Sequence, residues 1–497
     1  MRNMLLAALA AVVVLSLEVG AQDAGSIIST ASKAMGTDTL QSVRYTGTGT
    51  NNSTGQAYSP GGPWPRFTVT KYVGLVNYTL PVMRQEVVRI DNISPARGGG
   101  AGGYNPATFQ GGIRPVPGDI IQNTNTDGRT GIGAVNIWLT PHGFLKGAAA
   151  NASTARVAKS GGRDVVSFTG FGKYTITGTL NNQNLVERVE TRIDVSFTGD
   201  TLVEGLYSNY KDFGGVKFPT RIEMRQAGHP VLELNVAGVE PNSPVALQVA
   251  APPARGGGPL GAGQTAAGGE AAGPQAKPEQ IGRGVWFLNS GAPQTVVVEF
   301  RDHLVLVEAP GNDERSMATL AEVKRLFPSK PVRYVVNTHS HADHSGGIRA
   351  MVAEGIPIIT HEAHKRYYEQ QIFRNPHTLN PDRLQRMPRA AVIETVKDKR
   401  VLTDGDLTLE LYHMRDHQHS EGLLMAYLPA SKLLIQADAF APRPGAPPLP
   451  APSPYTINLV DNVDRLKLDV ERVVHVHGGM DPMTAVRQAA GRAAAGR

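Results

Sequence analysis

Within the stretch VVNTHSHADHSGG, residues 335–347, His339, His341, Asp343 and His344 crowd into six consecutive positions. Imidazole and carboxylate together suit zinc, iron, nickel or copper, whereas calcium and magnesium select oxygen-only sets. A lone histidine is as well explained by a solvated polar loop. Four ligand-type residues at this spacing point to a metal cage instead. The chain has no cysteine, so any metal site must be built from histidines and carboxylates. The apolar run VRYVVNT reads as a buried strand ending at Thr338. His339 and His341, two apart in extended backbone, then face one side. Asp343 and His344 open a helix, where the N-terminal dipole favours a carboxylate.

The arrangement His339-Ser-His341-Ala-Asp343-His344 resembles the signature of the metallo-β-lactamase superfamily, and the resemblance runs over about 283–480. It implies an α/β domain, an αββα sandwich with two metal ions side by side between two β-sheets. One ion would take His339, His341 and a third histidine from a later loop. The other would take Asp343, His344 and a final histidine, with a later aspartate bridging both. HQHSEGLLMAYLP offers His419 as the third histidine, with His417 as a rival whose spacing to Ser-x-Gly is wrong. Asp438 ends KLLIQAD and matches the bridging place. His477 precedes Gly-Gly in VVHVHGG, while His475, two residues deeper, suits a hydrogen bond behind the ligands. His361, His364 and His413 match no motif and are expected at the surface or behind the ligands.

The resemblance implies a dinuclear zinc hydrolase. Metal binding lowers the pKa of water from 15.7 towards ~7, giving a metal-bound hydroxide for attack on an ester, lactone or amide-like bond, β-lactams included. Asp343 would orient this nucleophile as well as bind metal. A bridging aspartate is similar to lactonase, thioesterase and alkylsulfatase relatives, whereas true β-lactamases of the superfamily usually carry Cys or Ser there. Two other readings stay open. Persulfide dioxygenases share the cluster but hold a single iron. A non-enzymatic periplasmic ligand-binding protein would use the metal domain only structurally. Oxygen-reducing diiron relatives carry Glu where this chain has His341.

The elements that must position these residues follow from the wider pattern. A chain of 497 residues exceeds one ordinary core, so two domains are expected. Arg2, the apolar run Met4–Leu17 and Val19-Gly20-Ala21 have the layout of a signal peptide, residues 1–21. The run is shorter than the ~20 residues of a bilayer span. The expectation is a secreted or periplasmic protein with no stable span after cleavage. Residues 22–248 are expected to form a β-rich, half-barrel-like domain: SIISTASKAMG (26–36) reads as a helix, and alternating β-branched segments crowd between about 164 and 240, as in an antiparallel meander closed or half-closed into a barrel. YSNYKDFGGVKFPTRIEM resembles strand pairs of periplasmic lipoprotein-carrier half-barrels, which implies an apolar groove for a lipid or other apolar ligand.

Residues 249–281, rich in Gly, Pro and Ala, read as a linker. From 282 to 497 strands and helices alternate, as in a layered α/β domain. Expected helices there include RSMATLAEVKRLF, SGGIRAMVAEG, VDRLKLD and DPMTAVRQAAGRAAA. PARGGG occurs at 95–100 and 253–258, but neither copy continues into the Gly-Lys-Ser/Thr of a phosphate loop. A net charge of +6 without a Lys/Arg block gives nucleic-acid binding little support. The expected partner is a small-molecule substrate.

Overall fold

The computed structural model describes residues 24–90, 97–99, 120–129, 131–249, 278–288, 293–441 and 452–492. The expected signal peptide and nearly all of the expected 249–281 linker lie outside these residues, as do both PARGGG copies apart from Arg97–Gly99.

The N-terminal half is built on an 11-stranded sheet, antiparallel throughout. Ser42–Asn52, Arg66–Asn77, Val82–Ile90 and Ile120–Asp127 run outward in one direction. Seven strands from Arg156–Ser160 to His229–Pro241 run back, and His229–Pro241 pairs with Ser42–Asn52. Alternation decides which face is covered: in Tyr174–Leu180 every second residue is buried. Three helices supply the cover, Ala24–Met35, Gly131–Trp138 and Pro141–Ala150. The first corresponds to the expected 26–36 helix and ends at Gly36, whose φ of 68° suits glycine. The other two were not expected. Pro141–Ala150 starts on the Thr140 side chain, which accepts from the Gly143 N–H, with Pro at the first turn. Its Phe144 is fully buried, lying so close to strand residue Gly178 that a Cβ there would sit 2.3 Å from the ring.

The C-terminal half is a sandwich of two mixed sheets. The first, seven-stranded, ends in the parallel set Leu304–Val307, Val332–Val336, Ile358–His361 and Ile393–Val396. Successive residues face opposite ways. Val296, Val298, Val305, Val307 and Val336 face the second sheet, while Val297, Leu306 and Val335 pack with Val323, Ile348 and Met351 of the outer helices. The second sheet has six strands, with Leu433–Gln436 parallel to Arg472–His475. Helices Pro454–Arg465 and Met483–Ala489 cover it through Leu459, Val460, Val463 and Val486. The chain is thus a mainly antiparallel β region followed by an αββα sandwich.

Three expected helices differ. SGGIRAMVAEG breaks into Ala342–Ser345 and Ile348–Ala353. Between them Gly346 and Gly347 press on the start of the helix Asp313–Leu326 and the turn before it, where a Cβ would lie 1.9 Å from the Gly311 carbonyl and 2.0 Å from Ser316 Oγ respectively. The helix expected over 463–469 is Pro454–Arg465, capped by Ser453 and stopped before Lys467, whose φ is 54°. Met480–Pro482 adds an edge strand to Arg472–His475, so the last helix begins only at Met483.

The two halves touch at Asp200, whose carboxylate accepts from the Thr378 N–H at 2.8 Å, Thr378 Oγ1 at 2.5 Å and the Leu379 N–H at 3.0 Å. Burial opposes ionisation there, but these bonds outweigh it and hold the carboxyl below its usual range.

Two measurements check this packing. Phe144→Ala should cost about 3–5 kcal/mol in denaturant unfolding. Asp200, with its folded pKa depressed, stabilises the chain above the unfolded carboxylate value, and that stabilisation disappears as pH falls through the folded value. The Tm difference between the wild type and Asp200→Asn, measured in chelator, should therefore be largest near neutrality and shrink below about pH 4.

Candidate metal centre

Parallel pairing sets the site. Gln436 pairs with His475, so Asp438 and His477 each emerge two residues past the same register line, from the same end of neighbouring strands. In the facing sheet Val307 pairs with Val336, which brings Glu308 and the 337–344 segment out at one end. His341 stands in extended backbone before the short helix Ala342–Ser345, and its carbonyl is held by Ser345 Oγ at 2.6 Å. The Leu424 N–H donates to the Thr338 carbonyl at 2.9 Å, tying the cluster to the loop that carries His419.

All seven residues singled out in the sequence come together. His339 Nε2 lies 3.2 Å from His419 Nε2, and the His341 ring is 4.4 Å from each of their ring centres. On the other side His344 Nε2 lies 3.1 Å from His477 Nε2 and 3.4 Å from Asp343 Oδ2. Asp438 stands between the groups. Its Oδ2 is 2.7 Å from His344 Nε2, 3.4 Å from His339 Nε2 and 3.5 Å from His419 Nε2, and its Oδ1 is 2.9 Å from His477 Nε2. His339, His341, His344 and His419 are buried, whereas the His477 side chain is 25% exposed. The centre therefore opens to solvent on the His477 side.

Electrostatics distinguishes the imidazoles. Burial, reinforced by His344 and His341, pushes His339 well below its ordinary value. Burial and the neighbouring His419 push His341 down to about 3. These two rings are neutral and offer lone pairs. For His344 burial acts the same way, but Asp438, Asp343 and Glu308 outweigh it and raise its pKa well above the ordinary value. Burial opposes ionisation of Asp438, yet His477 and His344 hold its carboxyl well below the usual range.

The donor set fits a metal cofactor. Nitrogen lone pairs at 3.1–3.2 Å repel unless a proton or cation lies between them. Around a tetrahedral ion with metal–nitrogen bonds of ~2.0–2.1 Å, ligand nitrogens stand about 3.3 Å apart. His341 Nδ1 is buried without any hydrogen-bond partner, an orphan that a metal ion would satisfy.

The remaining histidines lie elsewhere. His417 is buried, and its Nδ1 accepts from the His419 N–H at 3.2 Å. His475 is buried and engages Asp481 Oδ2 and Gln436 Nε2, each at 2.9 Å, rather than any of the seven clustered residues. His361 packs on His413 at 4.1 Å, with their Nε2 atoms at the Lys397 and Glu421 carbonyls. His364 is fully buried. Gly422, in the loop after His419, leaves room for it, since a Cβ there would sit 2.8 Å from His364 Nε2.

Two contributors escaped sequence reasoning. Glu308, fully buried with φ 76°, lies 3.5 Å from His344 Nδ1 through Oε1. Left-handed backbone at such a residue costs about 1–3 kcal/mol. Here its N–H bonds the Val336 carbonyl at 2.8 Å, and its carboxylate takes the Thr338 hydroxyl and Asn337 Nδ2. The sequence signal was a single acid closing the apolar run HLVLVEA. The other is Gln56, from the N-terminal sheet, whose Nε2 donates to Asp343 Oδ1 at 2.9 Å. Nothing local in the sequence marks it.

Comparison with known proteins bears on the C-terminal half. The family model of the metallo-β-lactamase superfamily matches residues 290–477. A 58-residue stretch is 36% identical to the alkyl/aryl-sulfatase BDS1 of Saccharomyces cerevisiae, covering 12% of this chain. The match spans only 9% of that protein's length. Among solved structures, a metallo-β-lactamase from Pontibacter korlensis is similar over 44% of this chain and 98% of its own, at 19% identity and a TM-score of 0.34. The mono-zinc form of FIM-1 from Pseudomonas aeruginosa is similar over 45% of this chain and 96% of its own, at 17% identity and a TM-score of 0.35. Residues 290–477, with the histidine-rich cluster at their strand ends, belong to the metallo-β-lactamase superfamily.

Proposed function

We propose that the chain is an exported zinc-dependent hydrolase with two metal ions, acting on an ester, lactone or amide-like bond of a small molecule. The observation that carries this is Asp438, one carboxylate within 3.5 Å of His339, His344 and His419 and 2.9 Å from His477. His339, His341 and His419 would hold one ion, Asp343, His344 and His477 the other, and Asp438 would bridge them. Bound zinc supplies Lewis acidity and lowers the pKa of water, so that a nucleophile exists at neutral pH.

The chain's own residues do the rest. Asp343 Oδ2 faces His344 and His477, while Oδ1 takes the Gln56 N–H. A carboxylate oxygen has two lone pairs, so Oδ1 retains one to accept a proton from the attacking water and orient it. Glu308 faces His344 Nδ1, fixing the ring with Nε2 towards Asp438. His477, the most exposed of the set, lies where substrate enters. We assign residues 1–21 to export, 22–248 and 282–497 to two domains, and 249–281 to the link between them. Among the described residues no helix is long and apolar enough to cross a membrane.

A sulfate ester is the second reading for the substrate, favoured by the short likeness to a protein named alkyl/aryl-sulfatase. Hydrolysis with β-lactam, lactone, thioester, phosphodiester and sulfate-ester substrates, run with metal analysis of the purified chain, separates these. About two zinc ions per chain and turnover of at least one substrate are expected. One iron and inactivity throughout would replace this reading with a persulfide-dioxygenase-like one.

Two variants sharpen the assignment. His341→Ala should lose metal and abolish turnover together, and persistent hydrolysis after metal loss would sink the catalytic reading. Glu308→Gln, which removes the charge facing His344, should weaken zinc about 10–100-fold in chelator competition.

A further inference from the structure

The loop between strands Ser42–Asn52 and Arg66–Asn77 belongs to the N-terminal sheet but lies on the metal cluster. Three successive residues contact three successive positions of the signature. The Ala342 N–H donates to the Gly55 carbonyl at 3.2 Å. Gln56 Nε2 donates to Asp343 Oδ1, and His341 Nε2 donates to the Ala57 carbonyl, both at 2.9 Å. The Glu421 N–H donates to the Tyr58 carbonyl at 3.0 Å, joining the same loop to the segment after His419. Gln56 and Ala57 are both buried.

Two of these contacts act on the proposed ligands themselves. A carbonyl oxygen only accepts, so His341 Nε2 must carry the proton. That leaves Nδ1 as the bare lone pair, and Nδ1 is the buried atom without a partner. Ala57 thereby selects the tautomer in which His341 can bind metal through Nδ1. Gln56 binds one oxygen of Asp343 and leaves Oδ2 turned to His344 and His477. The space for Gln56 is closely fitted. Gly99 donates its N–H to the Gln56 carbonyl at 3.0 Å, and a Cβ on Gly99 would lie 1.9 Å from Gln56 Oε1 and 2.9 Å from His419 Cε1. Two of the four hydrogen bonds join backbone groups, and the other two go to a proposed ligand of each ion.

We propose that residues 55–58 of the N-terminal sheet form part of the metal centre, with Gln56 positioning Asp343 and the Ala57 carbonyl fixing the tautomer of His341, so that zinc binding and docking of the N-terminal sheet are coupled. This rests on the reading of the cluster as a zinc site. Coupling is reciprocal: a docked loop tightens zinc, and bound zinc tightens the loop.

The test uses the full chain, stripped with chelator and titrated with zinc alone against a chromophoric competitor. In Gln56→Leu, which keeps bulk but removes the donor, the ion held by Asp343 should bind about 10–100-fold more weakly, with a smaller change at the other ion. The rise in Tm on zinc addition should shrink while the metal-free Tm stays near wild type. Gly99→Ala should shift zinc affinity in the same direction. Equal zinc affinities in wild type and Gln56→Leu, or the same Tm loss with and without zinc, would reduce the loop to a structural contact and overturn the proposal. A wild type that binds no zinc would instead overturn the underlying metal reading. Should the variants not fold, hydrogen exchange on the wild type decides. Zinc should slow exchange of the Gln56, Gly99 and Glu421 amides, and unchanged exchange at all three would overturn the coupling.

Discussion

Asp438 imposes the constraint on which the centre depends. A carboxylate enclosed by four imidazoles, with Asp343 and Glu308 close by, can stay ionised only if positive charge is held among them. Without metal, His344 meets that need by keeping a proton at a pKa well above its ordinary value. Bound metal would meet it with cationic charge, and the imidazole lone pairs would become ligands rather than mutual repulsions. Charge balance and metal binding are one requirement here. It explains why so polar a cluster persists at the edge of a core whose central strands are entirely apolar, such as Leu304–Val307.

Parallel strand pairing meets that requirement geometrically. Parallel neighbours end on the same side, so one register line brings Asp438 and His477 together, and another brings Glu308 beside the 337–344 segment. Four segments distant in sequence thus converge without a long side chain having to reach. The glycines nearby serve the same closeness. Gly346 and Gly347 let the signature segment lie on residues 309–316, a turn and the first turn of a helix, and Gly422 lets the His419 loop pass over His364.

What the sequence disclosed follows the same logic. His339, His341, Asp343 and His344 were legible because contiguous residues carry their own spacing, whereas His419, Asp438 and His477 were singled out only through the resemblance to the superfamily's later motifs. The alternating β segments between 164 and 240 disclosed an antiparallel sheet, since half-burial leaves a period of two. Helices Gly131–Trp138 and Pro141–Ala150 left no comparable trace. Both are buried along most of their length, so apolar and small residues run without a polar face. The helix Pro454–Arg465 lies earlier than its apolar rhythm predicts because its start depends on the Ser453 cap, while LKLD continues that rhythm past the point where the chain turns at Lys467. Gln56 was illegible for a deeper reason. A single amide becomes informative only when the fold brings it to Asp343 across a separation of 287 residues.

That distance bears on how the two halves relate. Asp200 and the 55–58 loop hold the sandwich at different places, through Thr378–Leu379 and through the metal cluster respectively. The first contact is independent of metal, because no proposed ligand takes part. The second uses His341 and Asp343, so its strength varies with whatever charge and lone-pair arrangement the cluster adopts. An N-terminal sheet attached at both places cannot be a passive appendage. Any shift at the 55–58 loop changes the hydrogen bonds on Asp343 and His341, and any change at those residues alters how firmly the loop is held.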